Sequence, residues 1–416
     1  MGSGARAMGM GGAFIAIADD ATAASWNPGG LMQLERPEFS FVFTFDQRRR
    51  DMSSSPNPEA DSLHELYRED LNYFSVAYPF RAFNKNMIIS LNYQRLYDLY
   101  DKMDFNYNYG DYLAGFGFYN FETRTRFRQA GSIKALAPAF AIQITPQFSF
   151  GITFNIWTDD LGFDNEWNVK RDATGTMVAF YSIANKRQVA QARSVYREEN
   201  DNFEGFNVNI GFLWDITRVV TLGAVLKTPF TADIDRETYT FNSTSSFGVG
   251  TAQKQALFKK DSIEIDFPLS YGIGLAFRLS DKLTCAVDIY RTHWSDFWVK
   301  GDGGSSSPIT GKARRDSHVH DTTQVRIGCE YLFVLERTII PLRLGAFYDP
   351  SPSEKAPDDY FGCSIGTGIM LYNRILLDCA YIYRWGRDVG GDMIGLPGTD
   401  YDVDQHQLYI SMIYHF

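Results

Sequence analysis

No stretch of the chain approaches the roughly eighteen consecutive apolar residues that a membrane-spanning helix requires, so helical spans are excluded. Lysine and arginine are outnumbered by acidic residues, 40 to 50, and form no basic stripe, which argues against nucleic acid as a partner. Arg48, Arg49 and Arg50 make the one basic cluster, expected at the exposed end of a strand. Cysteine is scarce: Cys285, Cys329, Cys363 and Cys379 lack CxxC or metal-type spacing and read as small apolar residues on outward strand positions. His318, His320 and Asp321 lack the further ligands that a metal demands, and neither His293 near Ser295 nor His415 belongs to a readable triad. No metal, no cofactor and no enzymatic activity are therefore expected. No secretory leader with a basic start and an apolar core precedes the first motif, so an exported protein is expected here in mature or trimmed form.

Aromatic residues, by contrast, make up 15% of the 416 residues, and there are 35 glycines. Phe39, Phe41, Phe43 and Phe45 alternate with Ser40, Val42, Thr44 and Asp46, which is the period of a strand. The pattern returns as Phe148, Phe150, Ile152, Phe154 and Ile156 against Ser149, Gly151, Thr153 and Asn155, and again from Phe206 to Trp214. One face is apolar and the other small or polar, as when alternate side chains meet lipid and an aqueous lumen.

Alternation places strands near 38–50, 69–80, 86–97, 123–144, 147–158, 204–216 and 219–231. Seven more follow near 262–279, 282–297, 321–335, 338–348, 360–372, 374–386 and 404–416. The connections at 82–85, 145–146, 217–218, 280–281, 336–337 and 373 are tight, and those between are long and polar. Short turns on one side and long loops on the other mark an outer-membrane barrel. A soluble sandwich or propeller is the competing all-β reading, but no repeat of about forty residues is present. The expected fold is an all-β transmembrane antiparallel barrel of about fourteen strands over 38–416, in the bacterial outer membrane and in contact with its lipids.

On the inward parity fall Glu264, Asp266, Asp288, Arg326, Glu330, Arg343, Asp378 and Arg384. Of these, Asp288, Arg326, Glu330, Arg343 and Asp378 are expected to form a charge network across the lumen; the alternative is a merely solvated polar wall.

Residues 1–37 break the alternation and are rich in small side chains, which suits a plug folded into the lumen better than a first strand. Asp19 or Asp20 is placed to cap a short helix over Ala21 to Ser25 that Asn27-Pro28-Gly29-Gly30 ends. A phosphate loop is the other reading of Gly9 to Gly12, but no strand precedes it and no Lys-Ser or Lys-Thr follows. The run Gly4 to Phe14, then Ala18-Asp19-Asp20 and Trp26-Asn27-Pro28-Gly29-Gly30-Leu31, resembles the hatch of the FadL/toluene-transporter (OMPP1) superfamily, which includes PorV-like barrels. Leu226 to Phe230, Leu342 to Asp349 and the terminal set Leu408, Ile410, Met412, Tyr414 and Phe416 extend the resemblance along the barrel. Asn27, Pro28 and Gly29 match the Asn-Pro-Ala hatch signature of that family, with Gly29 in place of alanine, a change small enough to leave packing undisturbed. The resemblance implies passive uptake of long-chain fatty acids or other hydrophobic small molecules, which pass the hatch and leave through a gap in the wall. The third strand, 86–97, carries no Gly or Pro to mark such a gap. The PorV-like branch implies instead a barrel that holds a protein partner at the extracellular face.

For the ligand route the residues expected are Phe14, Ile17 and Trp26 on the hatch and Met177, Phe180 and Tyr181 in the longest loop, 159–203. Met177, Phe180, Tyr181, Ala184 and Val195 have approximately helical spacing, which predicts an amphipathic helix over the mouth, flanked by Lys186, Arg187 and Arg193 to meet a carboxylate. Packing alone is the competing reading for every one of these residues.

Overall fold

The computed structural model describes residues 2–113, 117–160, 162, 164–181, 186–247, 253–336, 338–354, 356–372, 374–391 and 398–416. The side chains of Phe180, Tyr181, Lys186 and Arg187, all of Ala184, and the turn residues Arg337 and Asn373 lie outside what is described. Within it, twenty strands form one continuous sheet. In chain order these are β1 (Glu38–Ser54), β2 (Ser62–Ala82), β3 (Lys85–Asp98), β4 (Asp101–Leu113), β5 (Gly117–Thr145), β6 (Phe148–Trp157) and β7 (Trp167–Tyr181). There follow β8 (Lys186–Asp215), β9 (Val220–Lys227), β10 (Phe230–Phe247), β11 (Gln253–Phe267), β12 (Ser270–Ser280), β13 (Leu283–Thr292) and β14 (Trp298–Gly301). The last are β15 (Gly304–Ser306), β16 (Thr322–Val334), β17 (Ile339–Tyr348), β18 (Tyr360–Leu371), β19 (Ile375–Val389) and β20 (Thr399–His415).

Fourteen of these close a barrel in the order β1-β2-β3-β5-β6-β8-β9-β12-β13-β16-β17-β18-β19-β20, every neighbouring pair antiparallel. β20 returns to β1 in unbroken register from Glu38↔His415 to Ser54↔Thr399, so the barrel leaves no open edge. Closure is what lets a sheet stand in lipid, where an unpaired backbone group finds no water. Outward positions carry Ile89, Ile273, Ile289, Ile327, Leu344 and Ile365, about half exposed each, an apolar belt far larger than a soluble surface carries. Among the described residues no helix is long and apolar enough to cross a membrane.

The other six strands build a sheet above the barrel. The upper halves of β5 and β8 continue past the rim and pair with β4, β7 and β10, which β11, β14 and β15 extend. The switch between the two sheets falls where the backbone turns: Gly131 has φ 147° and Asn202 φ 54°, a region that favours glycine and tolerates asparagine.

Several expectations need correction here. The segments expected at 219–231 and 262–279 each divide in two, between β9 and β10 and between β11 and β12, at Pro229 and Pro268, which have no N–H for the ladder. Glu264 and Asp266 consequently face away from the lumen and ion-pair with Lys300, while Ile263, Ile265 and Phe267 are buried. Among the described residues of 159–203 there is no helix; β7 and the upper half of β8 occupy them. Ladders with β5 and β10 were available to these residues, and an apolar spacing over so short a stretch does not separate helix from strand. Cys285 and Cys329, opposite one another on β13 and β16, are joined as a disulfide and are not merely small apolar residues; Cys363 and Cys379 are free and exposed.

Candidate functional site

Residues 2–37 lie inside the barrel as two short helices, Ala5–Gly9 and Ala23–Trp26, and a 3-10 helix, Pro28–Gln33. The second helix starts two residues later than expected, after a turn in which Asp20 Oδ1 accepts from Thr22 N at 2.8 Å. Ala5, Ala7, Ala13, Ala18, Ala21, Ala23 and Ala24 are fully buried, because small side chains let the plug backbone lie directly on the wall. The wall answers with glycine. A Cβ on Gly151, Gly211, Gly223, Gly328 or Gly345 would overlap Pro28 O, Asn27 Oδ1, Ile15 O, Met10 O or Gly11 N in turn.

Wall side chains then take up the plug's backbone groups, which would be costly to bury unpaired. Ser411 Oγ accepts from Ala5 N at 2.7 Å; Ser364 Oγ accepts from Gly11 N at 2.9 Å and donates to Gly9 O at 3.0 Å. Ser149, Thr153 and Tyr73 donate to Gly29 O, Ala24 O and Ala21 O at 2.8 to 2.9 Å.

Asn27 fastens the hatch signature at three points. Its Nδ2 donates to Ile15 O at 2.7 Å and to Phe212 O on β8 at 2.9 Å, and its Oδ1 accepts from Gly29 N at 3.1 Å, capping the 3-10 helix that Pro28 opens. Gly29 is required here: a Cβ would lie 2.6 Å from Phe212 Cα, so the alanine of the family signature does not fit this wall.

The five inward charges fall into two groups. Arg343 bridges Glu330 at 2.6 Å and Asp378 at 2.5 Å, and Arg6 of the plug joins Glu330 at 2.9 Å and also pairs with Asp19. Asp288 and Arg326 are cross-strand neighbours, yet each turns to the plug: Asp288 Oδ2 accepts from Phe14 N at 2.6 Å and Ile15 N at 2.8 Å. Arg326 donates to Gly11 O at 2.8 Å and reaches Asp349 at 3.5 Å. Arg6, which completes the first group, was not singled out in the sequence; one of only two cations in residues 2–37, the other being Arg36 at the far end, it was the available signal.

Of the expected route residues, Phe14 and Trp26 meet edge to face at 6.1 Å, and Trp26 Nε1 donates to Ser3 O at 2.7 Å. Ile17 stands on the opposite face of the plug. Met177 lies on β7 between Phe121 and Ala190, away from both, and Arg193 is engaged by Asp172 at 2.8 Å. An aromatic cluster that sequence reasoning missed packs at the mouth, between the barrel rim and the raised sheet. Trp157, Phe230 and Phe267 stack with interplanar angles of 6° and 5°, against Phe203 and Tyr97. The placement of Phe230 and Phe267 at strand ends beside Pro229 and Pro268 was the legible hint.

Among the described residues, two cavities border the plug. Toward the mouth, a space of about 20 Å³ is bounded by Trp26, Ile15, Val225, Lys227, Tyr290 and Arg326, too small for any hydrocarbon as it stands. Toward the short turns, a polar vestibule of about 760 Å³ is bounded by Arg6, Ile17, Asp19, Arg218, Arg278 and Glu330.

A family model described as outer membrane protein transport protein (OMPP1/FadL/TodX) matches residues 2–406. No curated protein matches the chain. Among solved structures, a FadL homologue of Pseudomonas aeruginosa is 13% identical, with a TM-score of 0.60 over 100% of this chain and 99% of that one. The toluene transporter TodX of Pseudomonas putida is 14% identical, with a TM-score of 0.59 over 100% and 98%. The toluene transporter TbuX of Ralstonia pickettii is 12% identical, with a TM-score of 0.54 over the same shares. With its closed fourteen-stranded barrel and a family match over nearly its whole length, the chain belongs to the OMPP1/FadL/TodX family of outer-membrane transport proteins.

Proposed function

We propose that the protein carries long-chain fatty acids across the outer membrane without an energy source, with residues 1–37 acting as the hatch and 38–416 as the barrel. The observation that carries this reading is Lys227: a half-buried ammonium lining a small space with Trp26, Ile15 and Val225, with no ion pair among the described residues and the Tyr290 ring 5.8 Å away. A carboxylate would complete that cation, and the acyl chain would bury its surface against the neighbouring apolar groups, which is favourable at about 0.8 kcal/mol per CH₂. The aromatic cluster at the mouth supplies a first apolar contact for a ligand arriving from outside. Met177, Phe180 and Tyr181 stay candidates for that capture step, Phe14, Ile17 and Trp26 for passage.

The test is uptake of radiolabelled oleate and of toluene by cells lacking their own transporter and expressing this protein. Oleate uptake is expected above background and should fall at least tenfold in Lys227→Met, with toluene unaffected. Equal loss of both probes would remove the carboxylate role, and toluene uptake alone would assign the channel to neutral hydrocarbons.

The PorV-like reading, a barrel that holds a protein partner, is favoured by one feature, the polar sheet of β4, β7, β10 and β11 raised above the mouth. It predicts a stoichiometric protein retained on native mass spectrometry of the detergent-extracted barrel, with no lipid-sized mass.

A further inference from the structure

One face of the raised sheet carries an ordered polar array, in two rungs that run unbroken across β4, β5, β7, β8 and β10. The rung nearer the rim is Asn106, Arg124, Thr174, Arg193 and Ser243, each opposite the next. The rung above it is Asn108, Glu122, Thr176, Gln191 and Ser245. Residues two apart on a strand share a face, so both rungs line one hollow, of about 800 Å³. Four interstrand spacings make it roughly 19 Å long. Arg124 donates from Nε and Nη2 to Asp104 at 2.9 and 2.8 Å, and Arg193 likewise to Asp172 at 3.3 and 2.8 Å. Two-point pairing fixes each guanidinium plane. Thr174, Thr176, Gln191, Ser243 and Ser245 have no side-chain hydrogen bond among the described residues.

The array looks away from the lumen. On β5 it has the parity opposite to Ile133 and Ala135, and on β10 the parity opposite to Ala232 and Ile234, all four buried with the aromatic cluster at the mouth. On β4 it is opposite in parity to Met103 and Phe105, which pack inward with Met52 and Val403. The hollow therefore opens sideways, above the outer leaflet.

Its chemistry selects an occupant. No apolar side chain larger than Ala192 borders it, so neither an acyl chain nor the apolar centre of a stable protein interface has a counterpart there. Both arginines are already paired, and Glu59 and Glu122 add carboxylates, which opposes a phosphate. Rows of hydroxyl, amide and fixed guanidinium groups match a neutral chain dense in hydroxyls, each able to donate and to accept. One rung nearer the rim, on the same face of β10, Phe241 offers a flat ring to the apolar side of a sugar.

We propose that this hollow binds the saccharide chain of an outer-leaflet glycolipid, through neutral sugar units, and so fastens the raised sheet to the membrane surface. A glycolipid is the occupant because its sugars stand beside the barrel, on the side and at the height to which the hollow opens. The hollow lies outside the lumen, so this binding is independent of what the channel carries.

The probe is the polysaccharide released by mild acid from the lipopolysaccharide of the cells that make the protein, titrated calorimetrically into the full chain in detergent. Saturable binding is expected. It should weaken at least about tenfold in the double variant Thr176→Ala, Gln191→Ala, which removes two hydrogen-bonding groups from the middle of the array. Heat-dependent gel mobility and unchanged hydrogen exchange over β7 and β8 confirm that the variant is folded. Affinity should hold as sodium chloride is raised, because neutral sugars offer no charge to screen. No binding by the unaltered protein, or binding undiminished in the double variant, would overturn the proposal. A steep loss of affinity with salt would assign the contact to phosphate groups instead, and equal affinity for dextran would remove the glycolipid as its source. On native mass spectrometry, a protein retained by the unaltered chain and lost from the double variant would give the array to a protein partner.

Discussion

Gly29 stands where the family signature has alanine, and the reason is one contact, with Phe212 Cα on β8. Gly29→Ala should push the 3-10 helix off the wall and break the Asn27 bond to Phe212 O. An overpacking cost of about 1–3 kcal/mol is expected, read as a lower unfolding midpoint of the detergent-solubilised barrel. Arg343 is the second residue with a sharp consequence. Arg343→Met strips Asp378 of its ion-pair partner, whereas Glu330 keeps Arg6, so a loss of about 3–5 kcal/mol is expected and Asp378→Asn should restore part of it. A double variant no more stable than Arg343→Met would show that the arginine acts through packing. The sequence placed Arg343, Glu330 and Asp378 on one face by parity alone. That the plug's Arg6 enters the same cluster was not legible, since nothing local in either segment names the other.

Among the elements, the raised sheet has its own electrostatics. The Arg236 guanidinium, bonded to Asp261 at 2.6 and 3.1 Å, and then the Lys259 ammonium at 2.8 Å, hold the Asp261 carboxyl down to about 2. A carboxyl depressed in the folded state lends stability above its unfolded value near 4, and that contribution is lost as pH falls toward 2. Hydrogen exchange of the β10–β11 pair, corrected for intrinsic rates, should therefore accelerate between about pH 4 and pH 2. In Asp261→Asn that acceleration should be absent, and a wild-type rise of equal size in the variant would assign it to other groups. The barrel strands are expected to keep their protection throughout, because their ladders do not depend on this pair.

At the scale of the whole molecule the wall is self-sufficient: each barrel strand bonds to two others, and the plug adds contacts without completing any ladder. Deleting residues 2–37 should leave a folded barrel with a steady open pore in planar bilayers, where the full chain conducts little. A variant that fails to fold would make the plug a structural core instead.

By itself the sequence determined what repeats locally. Alternation with period two, tight turns on one side and a segment of small residues without alternation were enough for a closed barrel of about fourteen strands, its lipid face and its plug, because each is written within a few neighbouring residues. Only the tertiary structure decided what lies opposite what. It turned the loop at 159–203 into strands by supplying β5 and β10 as partners, divided two expected strands at Pro229 and Pro268, set Cys285 against Cys329, and brought Arg6 to Glu330 across 324 positions. Those are pairings between distant segments, fixed by the register of a closed sheet, and no local pattern encodes them.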